Sequence, residues 1–160
     1  MITVARTITV AVPRDRAFAL VSEFGRAAEW DPGLAESRQE TPGIPGPGTV
    51  FPIVAEFRGK RTPMTYEITE WEPGARLVIE GTGEKATARD VITFADAPGG
   101  GTSITYSAAL GMSGALKLAE PFLKGTFERM ADDAVAGLAD WLAREAGTGG
   151  ITPPRARAAT

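Results

Sequence analysis

The feature that most constrains the fold is an apolar stripe near the C-terminus. Six apolar residues recur there every three or four positions, the spacing of one face of an α-helix: Leu123, Phe127, Met130, Ala134, Leu138 and Trp141. Glu120 and Pro121 mark the predicted start of this helix, and Gly147 marks its predicted end. A helix of about five turns with one apolar face has to bury that face against another element.

The element that can cover this stripe is a β-sheet formed by the preceding part of the chain. Alternation of apolar and polar residues predicts about seven strands, at residues 2–12, 34–41, 49–58, 61–71, 75–82, 85–96 and 101–112. Two short helices are predicted after the first strand, at 14–24 and 26–30. Short turns that contain Gly or Pro join the later strands and favour an antiparallel meander.

These elements predict a single α+β domain over residues 1–146, in which a curved antiparallel sheet wraps around the long C-terminal helix. Residues 147–160 consist mainly of Gly, Pro, Arg, Ala and Thr with almost no apolar anchor, so we expect a disordered tail. A sheet that bends around a helix leaves a groove between the two unless large side chains fill it.

Histidine and cysteine are absent from the sequence, which excludes several kinds of site. A Ser-His-Asp or Cys-His site cannot form, and neither can a disulfide. A metal site would need carboxylates and carbonyls alone, and no segment has the spacing of a calcium loop. We therefore expect neither a metal nor another cofactor.

The charge and the apolar runs narrow the choice of partners. A net charge of −3 and a pI of about 5.1 provide no attraction for nucleic acid or for an anionic membrane surface. No apolar run approaches the roughly 18 residues of a membrane span, so we expect no stable membrane insertion. The N-terminus lacks the pattern of a signal peptide, which favours a cytoplasmic location. We expect a monomer or a homodimer.

Strand alternation also indicates which side chains face the groove, because every second residue points to the same side. We predict a ligand pocket lined by Trp30, Phe51, Phe57, Met64, Tyr66, Ile79, Ile92, Tyr106, Leu110, Leu116, Leu123 and Phe127. Farther along the long helix, Ala134, Leu138 and Trp141 are predicted to be core. Trp30 with Asp31-Pro32 either forms part of the pocket entrance or packs the short helices onto the sheet, and packing is the more ordinary role.

Three polar side chains share the inward direction of the strands. Tyr66 and Tyr106 either orient a ligand or bond to the backbone as core residues, and the sequence leaves both roles open. Asp90 points to the same side of its strand as Ile92 and Phe94. Burial on that side would raise the pKa of Asp90 and allow it to act as a catalytic acid or base. We favour instead an exposed position for Asp90 at the mouth of the pocket, where carboxylates usually lie.

Several short motifs occur in an order that resembles a known family. They are Pro13-Arg14-Asp15-Arg16-Ala17-Phe18, Trp30-Asp31-Pro32, Tyr66-Glu67-Ile68-Thr69-Glu70-Trp71-Glu72-Pro73, Arg76-Leu77 and Gly101-Thr102-Ser103-Ile104-Thr105-Tyr106. With the long helix that follows, the chain resembles the polyketide cyclase/dehydrase and lipid-transport family of the START-like (SRPBCC) superfamily, over residues 2–146. The resemblance implies a helix-grip fold with a pocket for hydrophobic or aromatic ligands.

That resemblance does not imply one activity. Our leading hypothesis is non-catalytic binding of a hydrophobic small molecule, such as a lipid, a polyketide or an aromatic metabolite. The alternative is a cyclase or dehydratase that acts in the same cavity without histidine or metal. A further alternative is a protein-interaction module, which predicts a groove filled by the protein's own side chains.

Overall fold

The computed structural model describes the backbone of residues 1–158 and the side chains of residues 1–147. Seven strands precede the long helix: β1 (Ile2–Val10), β2 (Leu34–Ser37), β3 (Val50–Phe57), β4 (Lys60–Glu72), β5 (Arg76–Gly83), β6 (Ala86–Asp96) and β7 (Thr102–Met112). The helices are α1 (Arg14–Ser22) and α2 (Glu120–Ala158), with 3₁₀ helices at Phe24–Glu29, Pro98–Gly100 and Gly114–Ala119.

The strands form one curled antiparallel sheet in the order β1-β7-β6-β5-β4-β3-β2. Strands β3 to β7 are successive neighbours, as a meander requires, whereas β1 crosses over to pair with β7. The pairing register shifts between Leu34 and Glu36 and between Ile68 and Glu70, and such bulges bend a strand. The predicted helix-grip fold is confirmed, including the short helices after β1.

The concave face of the sheet and the C-terminal half of α2 enclose the main core. The predicted inward parity is confirmed by burial of the strand residues on that face: Phe51, Ile53, Met64, Tyr66, Ile68, Leu77, Ile79, Ile92, Phe94 and Ile104. From α2, Leu138, Trp141 and Leu142 complete this core. Helix α1 closes one end, where Phe18 meets the rings of Trp71 and Phe94 edge-on. Such edge-to-face contacts are favourable beyond their burial.

Glycine at position 137 allows α2 to approach the turn after the first 3₁₀ helix. A Cβ atom on Gly137 would collide with the carbonyl oxygen of Trp30. Backbone therefore packs against backbone at this point, and Trp30 is buried against Phe24 and Tyr106. This contact fixes the position of the next residue in the chain, Asp31.

Helix α2 is assigned as Glu120–Ala158, whereas the sequence predicted its end at Gly147. The side chains of residues 148–160 and the backbone of 159–160 lie outside the described residues. The disordered tail over 147–160 therefore stays a prediction. Within the described part of the chain, no helix is both long and apolar enough to span a membrane.

Candidate functional site

A cavity of about 180 Å³ lies between the concave face of the sheet and α2. It is smaller than the roughly 300–1,000 Å³ of most small-molecule sites. It is close to the roughly 150 Å³ of an apolar cavity known to hold benzene. Its apolar walls are formed by Val4, Gly33, Leu34, Ala55, Phe57, Met64, Ala108, Leu110, Phe127, Met130, Ala131, Ala134 and Val135.

The cavity exists because small residues face each other across the groove. Ala131 and Ala134 on α2 lie opposite Ala55 on β3 and Ala108 on β7, and Gly33 belongs to the same wall. None of these side chains extends beyond Cβ, so they leave the space between helix and sheet open. At the neighbouring position, Phe57 and Phe127 stack with ring centroids 5.5 Å apart and close one side of the cavity.

Asp90 and Tyr106 form a hydrogen-bonded pair in the cavity wall, with Asp90 buried and Tyr106 half-buried. Asp90 on β6 is only 7% exposed, and its Oδ2 accepts a hydrogen bond of 2.7 Å from the Tyr106 hydroxyl. Burial is the main reason that the pKa of Asp90 rises to about 7; the negative charge of Asp31 also raises it, and the Tyr106 bond lowers it. The favoured exposed position for Asp90 was therefore wrong. The middle of β6 crosses the covered part of the sheet, so inward parity placed the carboxyl inside.

Tyr66 lies flat over a glycine in the neighbouring strand. Tyr66 on β4 pairs with Gly81 on β5, where a Cβ atom would lie 2.6 Å from Cζ of the ring. The ring covers the gap that a strand glycine leaves. The Tyr66 hydroxyl points to the Met64 sulfur at 4.0 Å, a weak acceptor. Among the described side chains it has no stronger partner, and burial raises the pKa of Tyr66.

Asp31 adds a second carboxyl group to the cavity. It follows Trp30 in the turn held against α2, and its Oδ1 accepts a hydrogen bond of 2.8 Å from the Gly33 amide. Burial raises the pKa of Asp31 to about 6, with a smaller contribution from Asp133, although the Gly33 bond lowers it. Two carboxyl groups and two phenols therefore share one largely apolar cavity.

Arg6 is the cationic residue among the described residues that line the cavity, and its charge is already paired. Its Nε donates to Asp132 on α2, and Nη1 donates to the carbonyl oxygen of Ala5. The bond to Asp132 is the main reason that the pKa of Arg6 is raised. No group of three or more carboxylates that could hold a metal ion occurs in the described part of the chain.

Six of the twelve residues predicted to line the pocket do line the cavity: Phe57, Met64, Tyr66, Tyr106, Leu110 and Phe127. The other six lie elsewhere. Phe51, Ile79 and Ile92 are fully buried core, and Trp30 packs against its neighbours. Leu123 belongs to a smaller cluster with Ile2 and Val4, and Leu116 is 40% exposed. Inward parity selects a face of the sheet, but it does not separate packed core from the cavity wall.

Two features of the site were missed. Asp31 was considered only together with Trp30 and Pro32 at the pocket entrance, with no role for its carboxyl group. Ala134 was assigned to the core, and it both packs against the core and lines the cavity. A usable signal was present, because Ala131 and Ala134 interrupt the large residues of the helical stripe. Small side chains in the middle of an otherwise bulky face indicate either close packing or a void.

Comparison with solved structures shows the same fold in proteins of low sequence identity. A protein from Thermus thermophilus superposes with a TM-score of 0.76 at 15% identity, covering 89% of this chain and 98% of that one. The Zhui aromatase/cyclase from Streptomyces superposes with a TM-score of 0.74 at 14% identity, covering 89% of this chain and 93% of that one. A START superfamily protein from Mycobacterium smegmatis superposes with a TM-score of 0.72 at 12% identity, covering 89% of this chain and 97% of that one.

The curled sheet, the helix that it surrounds and the cavity between them define a protein of the helix-grip class. The family model for polyketide cyclase/dehydrase and lipid transport matches residues 1–143. The chain belongs to that family. None of the curated proteins matches the sequence.

Proposed function

We propose that this protein binds a small hydrophobic molecule in the cavity between the sheet and α2. The observation that carries the proposal is the cavity itself, which has largely apolar walls and, besides the paired Arg6 and the exposed Glu56, four polar groups: Asp31, Tyr66, Asp90 and Tyr106. Such a combination of apolar walls and a few convergent polar groups is typical of ligand sites. The protein-interaction alternative predicted a groove filled by the protein's own side chains, and the open space speaks against it.

The size of the cavity limits the ligand. Apolar burial contributes roughly 25 cal/mol per Å², so a compact ring system that contacts all the walls gains most. A volume of about 180 Å³ suits one ring with a short substituent. A larger polyketide or lipid would have to displace the stacked rings of Phe57 and Phe127.

Native mass spectrometry of the freshly purified protein, with organic extraction, tests the proposal. Ala134→Leu fills the cavity, and Ala136→Leu makes the same change at an exposed position of the same helix. We expect the wild type and Ala136→Leu to carry an adduct that is lost on denaturation. Ala134→Leu is expected to carry no adduct, because its cavity is filled. An adduct of equal intensity in both variants would place the binding site outside the cavity.

A second candidate function is a cyclase or dehydratase reaction in the same cavity. The observation that favours it is Asp90, whose pKa near 7 allows it to hold or release a proton at neutral pH. Its hydrogen bond from Tyr106 would orient the carboxyl toward a substrate. The aromatase/cyclase with the same fold supports this candidate.

The enzymatic candidate is tested with Asp90→Asn and an aromatic polyketide precursor as substrate. If Asp90 transfers the proton, turnover of this uncharged precursor is abolished in the variant while binding of the precursor is nearly intact, and the wild-type rate changes around pH 7. Unaltered turnover in the variant would exclude Asp90 as the acid or base.

A further inference from the structure

The charges that face the cavity do not balance. From each element that lines it, the titratable groups are Arg6 on β1, Asp31 in the turn, Glu56 on β3, Tyr66 on β4, Asp90 on β6 and Tyr106 on β7. The α2 residues in the wall are uncharged, with Asp133 acting on Asp31 from nearby. Arg6 is engaged by Asp132, and Glu56 is exposed. Asp31 and Asp90 therefore face the cavity without a cation from the described residues.

Both carboxyl groups also have spare hydrogen-bonding capacity. An ionised carboxylate offers about four acceptor positions. Asp90 accepts one hydrogen bond, from Tyr106, and Asp31 accepts one, from the Gly33 amide. An ionised carboxylate in an apolar site is costly unless a charge and hydrogen-bond donors compensate it. A ligand that brings donors and a positive charge would supply what the protein does not.

Tyr66 points independently to a ligand. Its side chain is only 7% exposed and lines the cavity, yet its hydroxyl reaches no partner better than a methionine sulfur at 4.0 Å. Its oxygen accepts no hydrogen bond from a described residue, although buried hydroxyls normally have a partner. The rings of Tyr66 and Tyr106 also present aromatic surface, which attracts cations.

We propose that the cavity selects a protonated organic amine on a compact hydrophobic body, with the ammonium group held between Asp31 and Asp90. This inference rests on the proposed binding function and names the class of its ligand. The ammonium donates to both carboxylates and to the Tyr66 oxygen, and the ring fills the alanine-lined space. Carboxylic acids such as fatty acids are rejected, because they would add a third negative charge beside two that are not compensated. A neutral alcohol satisfies one acceptor and leaves the charge in place.

Three probes with the same phenyl ring separate these classes in calorimetric titrations: 2-phenylethylamine, 2-phenylethanol and phenylacetic acid. The amine is expected to bind most tightly and the acid not at all. Because ammonium binding needs ionised carboxylates, amine affinity rises between pH 5.5 and pH 8. Ionisation of Asp90, with its pKa of about 7, accounts for a roughly thirtyfold gain, and ionisation of Asp31, with its pKa of about 6, adds to it. Affinity for the alcohol changes little with pH.

The variants connect this behaviour to the two carboxyl groups. Asp90→Asn is expected to weaken amine binding by about tenfold or more and to flatten its pH dependence, because one of the two compensating charges is lost. Asp31→Asn acts in the same direction and serves where Asp90→Asn is poorly folded. Asp140→Asn removes an exposed charge from α2 and controls for net charge, with no expected effect.

The outcomes separate this inference from the function on which it rests. Alcohol binding as tight as amine binding would overturn the ammonium site and leave cavity binding standing. Amine affinity that is independent of pH, or unchanged in both aspartate variants, would also overturn it. If none of the three probes binds, the ammonium site and the proposed binding function fail together.

Discussion

The two halves of α2 face the same sheet with the same periodicity, yet one half forms core and the other borders a cavity. In the C-terminal half, Leu138, Trp141 and Leu142 are at most 2% exposed and fill the space completely. Nearer the N-terminus, Ala131 and Ala134 reach only a short way from the helix and leave the space open. Periodicity decides which face is buried, whereas side-chain volume decides whether the buried space is filled.

The polar contacts differ between the halves as well. Arg26 binds Glu145 of the C-terminal half at 2.7 Å and lies over the ring of Trp141. Glu29 accepts a hydrogen bond from the Trp141 indole. These polar groups surround a closed core, whereas Asp31 and Asp90 lie inside an open cavity. Polar groups at the filled end support packing, and those at the open end remain available for a ligand.

The largest expected effect on stability comes from replacing one aromatic side chain by alanine in each half of α2. Trp141→Ala should reduce the free energy of unfolding by about 3–5 kcal/mol, as for other large core residues. Phe127→Ala should reduce it by less than about 2 kcal/mol, because this half-buried ring borders a cavity. Chemical denaturation of both variants measures the difference. Equal losses would show that the N-terminal half is packed as tightly as the C-terminal half.

The next effect depends on the ionisation of Asp90. The unfolded chain loses this proton near pH 4, whereas the folded protein keeps it to about pH 7. Stability should therefore fall as the pH rises between these values, by about 1.4 kcal/mol for each unit of pKa shift. Asp90→Asn removes this dependence and should be more stable than the wild type at pH 8 but not at pH 4. Unfolding curves at both values provide the test, with Asp140→Asn as the exposed control.

A smaller effect compares the same substitution at two positions of α2, one beside the cavity and one beside the core. Ala134→Leu extends into the cavity, so its stability should remain within about 1 kcal/mol of the wild type. Ala139→Leu extends toward the packed core and should cost about 1–3 kcal/mol through overpacking. Thermal unfolding of both variants measures the contrast. A large loss for Ala134→Leu would mean that the cavity does not admit the extra methyl groups.

The smallest effect distinguishes the two tyrosines. Tyr66→Phe removes a hydroxyl that has only a sulfur contact, so unfolding stability should barely change. Binding of a ligand that uses this hydroxyl should weaken by about 1 kcal/mol. Tyr106→Phe instead removes the hydrogen bond to Asp90 and should reduce stability by about 1–3 kcal/mol. Chemical denaturation measures the stability of both variants, and ligand titration measures their affinity. Similar losses of stability in both variants would contradict the expected difference between the two tyrosines.

Much of this fold was accessible from the sequence. The helical stripe, the strand alternation and the Gly- and Pro-containing turns report local geometry, and all strands except β2 were predicted close to their observed bounds. Strand β2 was predicted over 34–41 and is observed only over Leu34–Ser37. The candidate site was less accessible, because a cavity depends on which small residues meet across the groove. Asp31 illustrates this limit, since it enters the site only where the Trp30 turn packs against Gly137. That contact joins residues more than a hundred positions apart, and no local pattern reports it.

The close approach at Gly137 has a further consequence for the dimensions of the binding space. Because peptide groups touch there, with no side chain between them, this position acts as the spacer that sets the distance between α2 and the Trp30 turn. Any side chain at position 137 would push the helix outward and enlarge the adjoining cavity without changing a residue that lines it. The calibre of the cavity is thus set by a residue that does not line it.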